Sequence, residues 1–279
     1  MPQLNTFSEL GAIDVHAHYG LYETSEHPVI RQCMSRTAEG VVACAHQART
    51  AISIVSPLRA FFSTEPDALL SANEQTDQAV SAHPELLQWV VVNPLETRSF
   101  EQADRILQDP RCIGIKIHPE LHHYPIAEHG DAIFRFAARH RTVIISHTGE
   151  SRSLPEDFVP FADAHPEATL ILAHLGFGFD GDPTHQVRAV QAARHANVFI
   201  DTSSARNIVP GLLEWAAHEV GAERLLFGTD SPLYFAPMQR ARINCAELDH
   251  AAKRLILREN ALRVLHLEPF LQLVEHSTQ

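Results

Sequence analysis

The stretch Asp14-Val15-His16-Ala17-His18 covers the end of the first apolar run of the chain and decides between two folds. Eight short apolar runs alternate with helical patterns along the 279 residues. Such near-continuous apolar runs are typical of parallel strands buried on both faces. A doubly wound open sheet usually carries a glycine-rich phosphate turn after its first strand. Because residues 14–18 contain no glycine, we expect a (β/α)₈ TIM barrel instead.

The predicted strands are evenly distributed, and no repeat or low-complexity linker separates them. Barrels of this kind take about 250 residues, so we expect a single α/β domain over residues 1–279, with a core of about 12–267. The eight apolar runs span residues 12–17, 51–55, 88–92, 112–118, 142–147, 169–174, 197–201 and 225–230.

Composition and charge exclude several classes of partner. The formal net charge is −12, from 34 acidic and 22 basic residues, which is the opposite of what a nucleic-acid partner favours. No apolar run approaches the roughly 20 residues that span a bilayer, so we expect no membrane partner. The start of the chain lacks a signal-peptide pattern, and four widely spaced cysteines without a CxxC motif indicate reduced thiols. We therefore expect a cytoplasmic protein that acts on a small molecule, with a homo-oligomer as an open alternative.

The histidines are unusually numerous, at 19 in 279 residues. In a barrel the active site lies at the carboxyl ends of the strands, and five of the histidines fall there. His16 and His18 are two apart on one strand, so both side chains face the lumen. Two close imidazoles are unfavourable if either is charged, whereas a shared metal accommodates both in the neutral form. A pair satisfied by core hydrogen bonds is the alternative, and His147, His174 and Asp230 at three other strand ends favour the metal.

Four of these strand ends resemble motifs of the amidohydrolase superfamily, and a fifth segment resembles the closing segment of its amidohydrolase-related branch. That branch includes aminocarboxymuconate-semialdehyde decarboxylase and many metal-dependent hydrolases, and the resemblance extends over about residues 12–267. The motifs are Ile13-Asp14-Val15-His16-Ala17-His18, Ile145-Ser146-His147-Thr148-Gly149, Leu172-Ala173-His174-Leu175-Gly176, Leu226-Phe227-Gly228-Thr229-Asp230 and Leu257-Arg258-Glu259-Asn260-Ala261.

The resemblance implies a metal-dependent enzyme. By position it makes His16, His18, His147 and Asp230 the ligands of one divalent metal; zinc is expected, with Mn²⁺ or Fe²⁺ as alternatives. It makes His174 an acid/base beside the ligands or a further ligand. Asp201 also ends a predicted strand but receives no role.

The main expectation for the reaction is hydrolysis of an amide, lactone or ester-like bond by a metal-activated water. Asp230 would accept the proton of that water, and His174 would return a proton to the leaving group. The first rival is non-oxidative decarboxylation of an aromatic or unsaturated carboxylic acid in the same site. The second is a barrel that only binds a small molecule, and a complete ligand set with an acid/base beside it argues against that.

Lys116 and His118 share one face of the predicted fourth strand. In some superfamily members a lysine here is carbamylated and bridges two metals, and residues 114–120 resemble the urease segment around such a lysine. Lys116 could instead stay cationic and bind a substrate carboxylate, or be structural; we favour the cation beside a single metal. His118, followed by Pro119, is expected to contact the substrate.

Three arginines lie just past strand ends, where each guanidinium group could form two parallel hydrogen bonds to one carboxylate. Arg59 follows strand two, Arg152 strand five and Arg206 strand seven. Together with Lys116 they predict a small anionic substrate, although exposed loop arginines are also common. The loops at 19–36 and 176–182 are expected to form the rim or a lid.

Overall fold

The computed structural model describes residues 10–204, 206 and 208–277, and its eight parallel strands confirm the predicted (β/α)₈ barrel. Neighbouring strands follow the order of the chain from β1 to β8. The strands are β1 (Ala12–Tyr19), β2 (Thr50–Pro57), β3 (Leu86–Val91), β4 (Cys112–Ile117), β5 (Val143–Ser146), β6 (Thr169–Leu172), β7 (Val198–Asp201) and β8 (Leu225–Leu226).

Backbone hydrogen bonds between β1 and the residues that follow β8 close the barrel. Val15 N donates to Phe227 O at 2.9 Å, and Asp230 N donates to His16 O at 2.7 Å. Both bonds use residues beyond the end of β8, so they hold the segment after this strand against β1.

Several strands are shorter than their apolar runs, β5, β6 and β8 among them. His147, His174 and Asp230 lie one, two and four residues beyond β5, β6 and β8. The φ angles of His174 and Asp230 are 71° and 57°, and this left-handed conformation ends the extended backbone. These three residues are therefore loop residues placed by the strand ends, whereas His16 and His18 lie within β1.

Helices follow the strands around the outside of the barrel. A 3₁₀ turn (Ala222–Arg224) and a π-helical segment (Leu255–Glu259) accompany them. The α-helices are α1 (Pro28–Met34), α2 (Ala38–Gln47), α3 (Arg59–Phe62), α4 (Ala68–Ala82), α5 (Arg98–Ile106), α6 (Ile126–His140), α7 (Pro155–Ala164), α8 (His185–Ala192), α9 (Leu212–Val220), α10 (Ala236–Cys245), α11 (His250–Arg254), α12 (Asn260–Leu265) and α13 (Glu268–Ser277).

Local sequence explains several helix starts. In α7, Pro155 occupies the first turn and is followed by Glu156 and Asp157, where a fixed φ and negative charge both favour a helix. The predicted loop at 19–36 contains α1, and none of the residues of α1 is buried. Because α1 has no buried face, it lacks the apolar periodicity that predicts a helix.

One end of the barrel interior is filled by apolar side chains. Trp89 is fully buried there, and its indole nitrogen donates to Val15 O at 2.9 Å. A Cβ at Gly114 would lie 2.9 Å from the Trp89 ring and 2.3 Å from Val143 O, so only glycine fits at this position. Side chains of the C-terminal helices, including Leu271, pack against the same cluster. The polar strand ends lie at the opposite mouth of the barrel.

Asp14 links the first strand to the segment after the last one. Its Oδ1 accepts hydrogen bonds from the backbone N–H of His16 and of Thr229, both at 3.0 Å, and its Oδ2 accepts one from Thr229 Oγ1. Burial raises the pKa of Asp14 to about 7, although these hydrogen bonds oppose the rise. The side chain therefore fixes β1 against the segment that follows β8.

Asp14→Ala should lower the free energy of unfolding by about 2–4 kcal/mol, because it leaves three buried donors without an acceptor. Urea denaturation monitored by circular dichroism would measure this. Glu101→Ala, at an exposed carboxylate in α5, is the control and should change stability by about 0.5 kcal/mol or less. An equally small effect of Asp14→Ala would contradict the closing role of this carboxylate.

Candidate metal centre and active site

Three of the predicted ligands meet at the mouth of the barrel. His18 Nε2 lies 3.0 Å from Asp230 Oδ1, and His16 Nε2 lies 3.6 Å from the same oxygen. All three side chains are buried, and one ligand atom from each lies within 4.8 Å of the others. The pleat of β1 puts both imidazoles on the inner face, as the spacing predicts. Such a buried set of imidazole and carboxylate donors fits a divalent metal.

The outer nitrogens of the two β1 histidines are held by other groups. His16 Nδ1 lies 2.8 Å from Asp201 Oδ2, and His18 Nδ1 lies 2.9 Å from Ser56 Oγ. Metal-binding histidines are usually oriented in this way by a partner on the second ring nitrogen. The Nε2 atoms of both residues are therefore directed toward Asp230.

Asp201 and Ser203 are functional candidates that the sequence did not assign. His16, His174 and Asp201 form a second group of close donor atoms, and hydrogen bonds explain this group. Ser203 Oγ donates to Asp201 and lies 2.8 Å from His174 Nδ1. The position of Asp201 at the end of β7 was the available signal, whereas no motif marked Ser203.

His147 lines the same cavity but is not part of the close donor group. Its Nδ1 lies 3.1 Å from His174 Nε2, and its Nε2 lies 3.5 Å from Glu150 Oε1. This buried Nε2 has no hydrogen-bond partner among the described residues. It is therefore available to a metal or to a substrate.

Two residues of the site have strained backbones. His174 and Asp230 are non-glycine residues with φ of 71° and 57°. Each such conformation costs about 1–3 kcal/mol and is concentrated at functional sites. Both side chains line the cavity at the mouth of the barrel.

Burial and hydrogen bonding set the charge of the donor groups. Burial lowers the pKa of His18 to about 4, so the imidazole is neutral near pH 7, as a metal ligand must be. Burial alone would raise the pKa of Asp230, but the hydrogen bond from His18 and the nearby imidazoles hold it well below its usual range. Asp230 is therefore a carboxylate at neutral pH.

Lys116 contacts the nitrogen that a metal would use. Its side chain is 1% exposed, and Nζ lies 2.8 Å from His16 Nε2. Burial lowers the pKa of Lys116 to about 8, while the carboxylates of Asp201 and Asp230 oppose that change. A metal held by His16 Nε2 would replace Lys116 at this nitrogen. The amine of Lys116 would then lie beside the metal site and its substrate.

His118 packs directly on His147. The two rings are nearly parallel, with centroids 4.0 Å apart and an angle of 10° between the planes. His118 Nδ1 accepts a hydrogen bond from Leu121 N at 3.3 Å. His118 therefore both lines the cavity and orients His147.

The ligand group and Lys116 lie in a cavity of about 320 Å³. The carboxylates of Glu120 and Glu150 also line it, as does Arg206, whose guanidinium lies 5.8 Å from the centre of the Phe177 ring. Aromatic side chains form much of the wall, namely Tyr22, Phe61, Phe62, Phe177 and Tyr234.

The other two predicted substrate arginines are paired with carboxylates. Arg59 forms ion pairs with Glu65 and, at 3.8 Å, with Glu23. Arg152 Nη1 donates to Glu120 Oε1 at 2.6 Å. The structure brings only Arg206 of the three into the lining of the cavity.

None of the helices in the described part of the chain is both long and apolar enough to cross a membrane.

Sequence comparison identifies one family. The family model described as amidohydrolase matches residues 13–267, which is most of the chain. No curated protein sequence matches the chain significantly.

Solved structures with the same fold include three decarboxylases. At 12–15% identity these similarities show the fold. A 2,6-dihydroxybenzoate decarboxylase from Rhizobium is 15% identical, with a TM-score of 0.73, covering 92% of this chain and 99% of that chain. A 5-carboxyvanillate decarboxylase from Novosphingobium aromaticivorans, complexed with manganese and 4-hydroxy-3-methoxy-5-nitrobenzoic acid, is 12% identical, with a TM-score of 0.72 and coverage of 95% and 97%. A dihydroxybenzoic acid decarboxylase from Polaromonas, with manganese and 2-nitroresorcinol, is 13% identical, with a TM-score of 0.72 and coverage of 92% and 97%.

His16→Ala and Asp230→Ala should each abolish metal binding while the barrel stays folded, because each variant removes a donor of the buried group. Asp201→Asn should weaken metal affinity roughly 10- to 100-fold, since it alters the partner that orients His16. Elemental analysis and competition with a metal indicator would measure this. The control, Asp131→Asn on the surface of α6, should bind metal like the unmodified protein. Full metal occupancy in His16→Ala would refute the ligand assignment.

Proposed function

Because the chain belongs to the amidohydrolase family, we propose that it is a metal-dependent decarboxylase that removes CO₂, without oxidation, from a small aromatic or unsaturated carboxylic acid. The observation that carries this proposal is the cavity, in which buried metal donors and Lys116 lie among aromatic walls. The proposal takes the whole chain, residues 1–279, as one catalytic domain.

This proposal reverses the order of the two reactions expected from the sequence. Hydrolysis of an amide, lactone or ester-like bond was the main expectation, and it stays a prediction. Three solved structures with the same fold are decarboxylases of aromatic acids, and aromatic walls suit a flat ring through stacked and edge-to-face contacts. Both observations favour decarboxylation.

The residues that would hold the metal are His16, His18 and Asp230, with His147 within reach in the same cavity. We propose that the metal is manganese, since two of the similar decarboxylase structures contain it. Zinc, the metal expected from the sequence, is the alternative. When bound, the metal supplies a Lewis acid that polarises an oxygen of the substrate.

Lys116 is the group that would orient the substrate carboxylate. In the metal-free protein its pKa of about 8 makes it mostly an ammonium at neutral pH, and charged hydrogen bonds to carboxylates are short and directional. Arg206 at the mouth offers a second cation near the Phe177 ring. The carbamylated form of Lys116 is the alternative that the variants below distinguish.

Decarboxylation exchanges the carboxyl group for one proton on the same carbon. The electron pair of the broken carbon–carbon bond takes that proton, and CO₂ leaves. Because the substrate binds as a carboxylate, this proton comes from solvent, and Asp230, itself a carboxylate, takes it up before delivering it to the carbon. His174, which contacts His147 and Ser203, is the second group able to move a proton here.

The reaction is tested by supplying the Mn²⁺-loaded protein with a panel of aromatic acids that includes 2,6-dihydroxybenzoate and 5-carboxyvanillate. We expect metal-dependent release of CO₂ from at least one acid, and no release by Asp230→Ala. A parallel panel of lactones, amides and esters measures hydrolysis. Turnover confined to the second panel would overturn the decarboxylase proposal in favour of a hydrolase.

Lys116→Ala should keep its metal and bind anionic substrates or inhibitors about 10- to 150-fold more weakly, since it loses a charged contact worth about 1.5–3 kcal/mol. Isothermal titration calorimetry with an active acid, or with 2-nitroresorcinol, would measure this. Lys253→Ala, at a surface lysine that donates to Asn244 O, is the control. Loss of one of two metals from Lys116→Ala, with rescue by short carboxylic acids, would instead indicate a bridging carbamate.

A further inference from the structure

Two glutamates line the cavity, and their carboxylates have different surroundings. Glu120 Oε1 accepts a hydrogen bond from Arg152 Nη1 at 2.6 Å, and Glu120 Oε2 accepts one from Arg152 N at 3.2 Å. In the described part of the chain, the one ion-pair contact of Glu150 is with His147 Nε2, which lies 3.5 Å from Glu150 Oε1 and has no hydrogen-bond partner. The carboxylate of Glu120 is therefore satisfied within the protein, whereas that of Glu150 is open to a ligand.

The backbone on both sides of Glu150 is held in place. Gly149 N donates to Ser153 O at 2.9 Å, and Ser153 N donates to Glu150 O at 3.0 Å, which closes a tight turn. Phe179 N donates to Gly149 O at 2.7 Å. A Cβ at Gly149, whose φ is 98°, would lie 2.2 Å from Phe177 O, so only glycine permits this approach. The side chain of Glu150 therefore enters the cavity from a fixed point beside the wall that Phe177 forms.

Glu150 and Lys116 contact different parts of the cavity. Lys116 is 1% exposed and contacts His16, which belongs to the close donor group. The side chain of Glu150 is 31% exposed and contacts His147, which lies outside that group. A ligand in the cavity therefore meets a cation at depth and a carboxylate nearer the mouth.

Glu150 is charged at neutral pH. The contact with His147 and the positive charge of Arg206 hold the pKa of Glu150 below its ordinary value, although burial opposes this. A carboxylate only accepts hydrogen bonds. It therefore attracts an O–H or N–H group of a ligand and repels a second carboxylate.

The size of the cavity limits the ligand to a small molecule that contacts both ends. Ligand sites span about 300–1,000 Å³, and this one, at about 320 Å³, is at the lower limit. A substituted benzene ring with its acid group near Lys116 would place another substituent near Glu150.

We propose that Glu150 is a specificity-determining residue that binds a hydroxyl or protonated amino group of the substrate, remote from the acid group, and excludes a second carboxylate there. This inference rests on the proposed function, in which the metal and Lys116 place the acid group. It narrows the substrate class to acids with one carboxylate and a separate hydrogen-bond donor.

Isothermal titration calorimetry of the Mn²⁺-loaded protein with matched benzoates tests the proposal near pH 7. At position 3 or 4 the compounds carry an aminomethyl group, a second carboxylate or a methyl group. In at least one position, we expect the aminomethyl compound to bind about fivefold or more tightly than the methyl compound, and the dicarboxylate about fivefold or more weakly. Equal affinity for the aminomethyl compound and the dicarboxylate, or binding of neither, would overturn the proposal.

Glu150→Gln should change the affinities for the two charged compounds in opposite directions. We expect it to weaken the aminomethyl compound about five- to thirtyfold, to strengthen the dicarboxylate by a similar factor, and to change the methyl compound less than about threefold. A residue that acts only by positioning His147 would shift all three affinities the same way, and that result would contradict the proposal. So would loss of Mn²⁺ from this variant, because Glu150 would then be a metal ligand.

Glu120→Gln is the matched control, since it removes an equal charge from the same cavity at a carboxylate that Arg152 already pairs. It measures the long-range part of the effect, which should be about threefold or less. Equal shifts in the two variants would rule out a direct contact with Glu150. The comparison of ligands on the unmodified protein does not depend on either variant folding.

The calorimetry requires no turnover, so it is independent of the reaction. A protein that distinguishes the benzoates as expected but releases no CO₂ from the aromatic acids would refute the decarboxylase and leave the role of Glu150 intact. Release of CO₂ without this discrimination would refute the role of Glu150 alone.

Discussion

The hydrogen bond from Asp230 N to His16 O, 2.7 Å long, is the contact on which the candidate site depends. It closes the barrel by joining the segment after β8 to β1, and it brings a carboxylate against two imidazoles. The pleat of β1 places His16 and His18 on the same inner face. The donors come from opposite ends of the chain, and this closure brings them close together.

The same contact concentrates charge in a buried place. Asp201 and Asp230 are nearly inaccessible, and both have pKa values held well below the usual range, because the surrounding imidazoles outweigh the effect of burial. Lys116 adds a third buried ionisable group, against His16. Burying so many polar groups is costly unless each is paired. The two carboxylates and the Lys116 ammonium sum to −1, and a divalent metal would bring the site to +1, a charge that suits an anionic substrate.

Much of the fold and part of the site could be predicted from local patterns. The eight apolar runs define the strands, and the spacing of His16 and His18 depends only on the pleat of one strand. Asp201 was missed because its role is set by contact with His16, 185 residues away in sequence. Arg59, Arg152 and Arg206 all lie just past a strand end, so the sequence does not distinguish them. Arg59 and Arg152 each have a carboxylate partner that only the folded loops bring near. Patterns along the chain thus predict which side of an element a residue occupies, whereas pairings between loops need the structure.

The most direct test of this account is anomalous diffraction at the manganese absorption edge from crystals grown with Mn²⁺. The account predicts one peak at the mouth of the barrel, within bonding distance of His16 Nε2, His18 Nε2 and an oxygen of Asp230. Lys116 should be an unmodified amine beside it. Absence of a peak at these three residues would contradict the metal centre. Two peaks bridged by a carboxylated Lys116 would contradict the single-metal site.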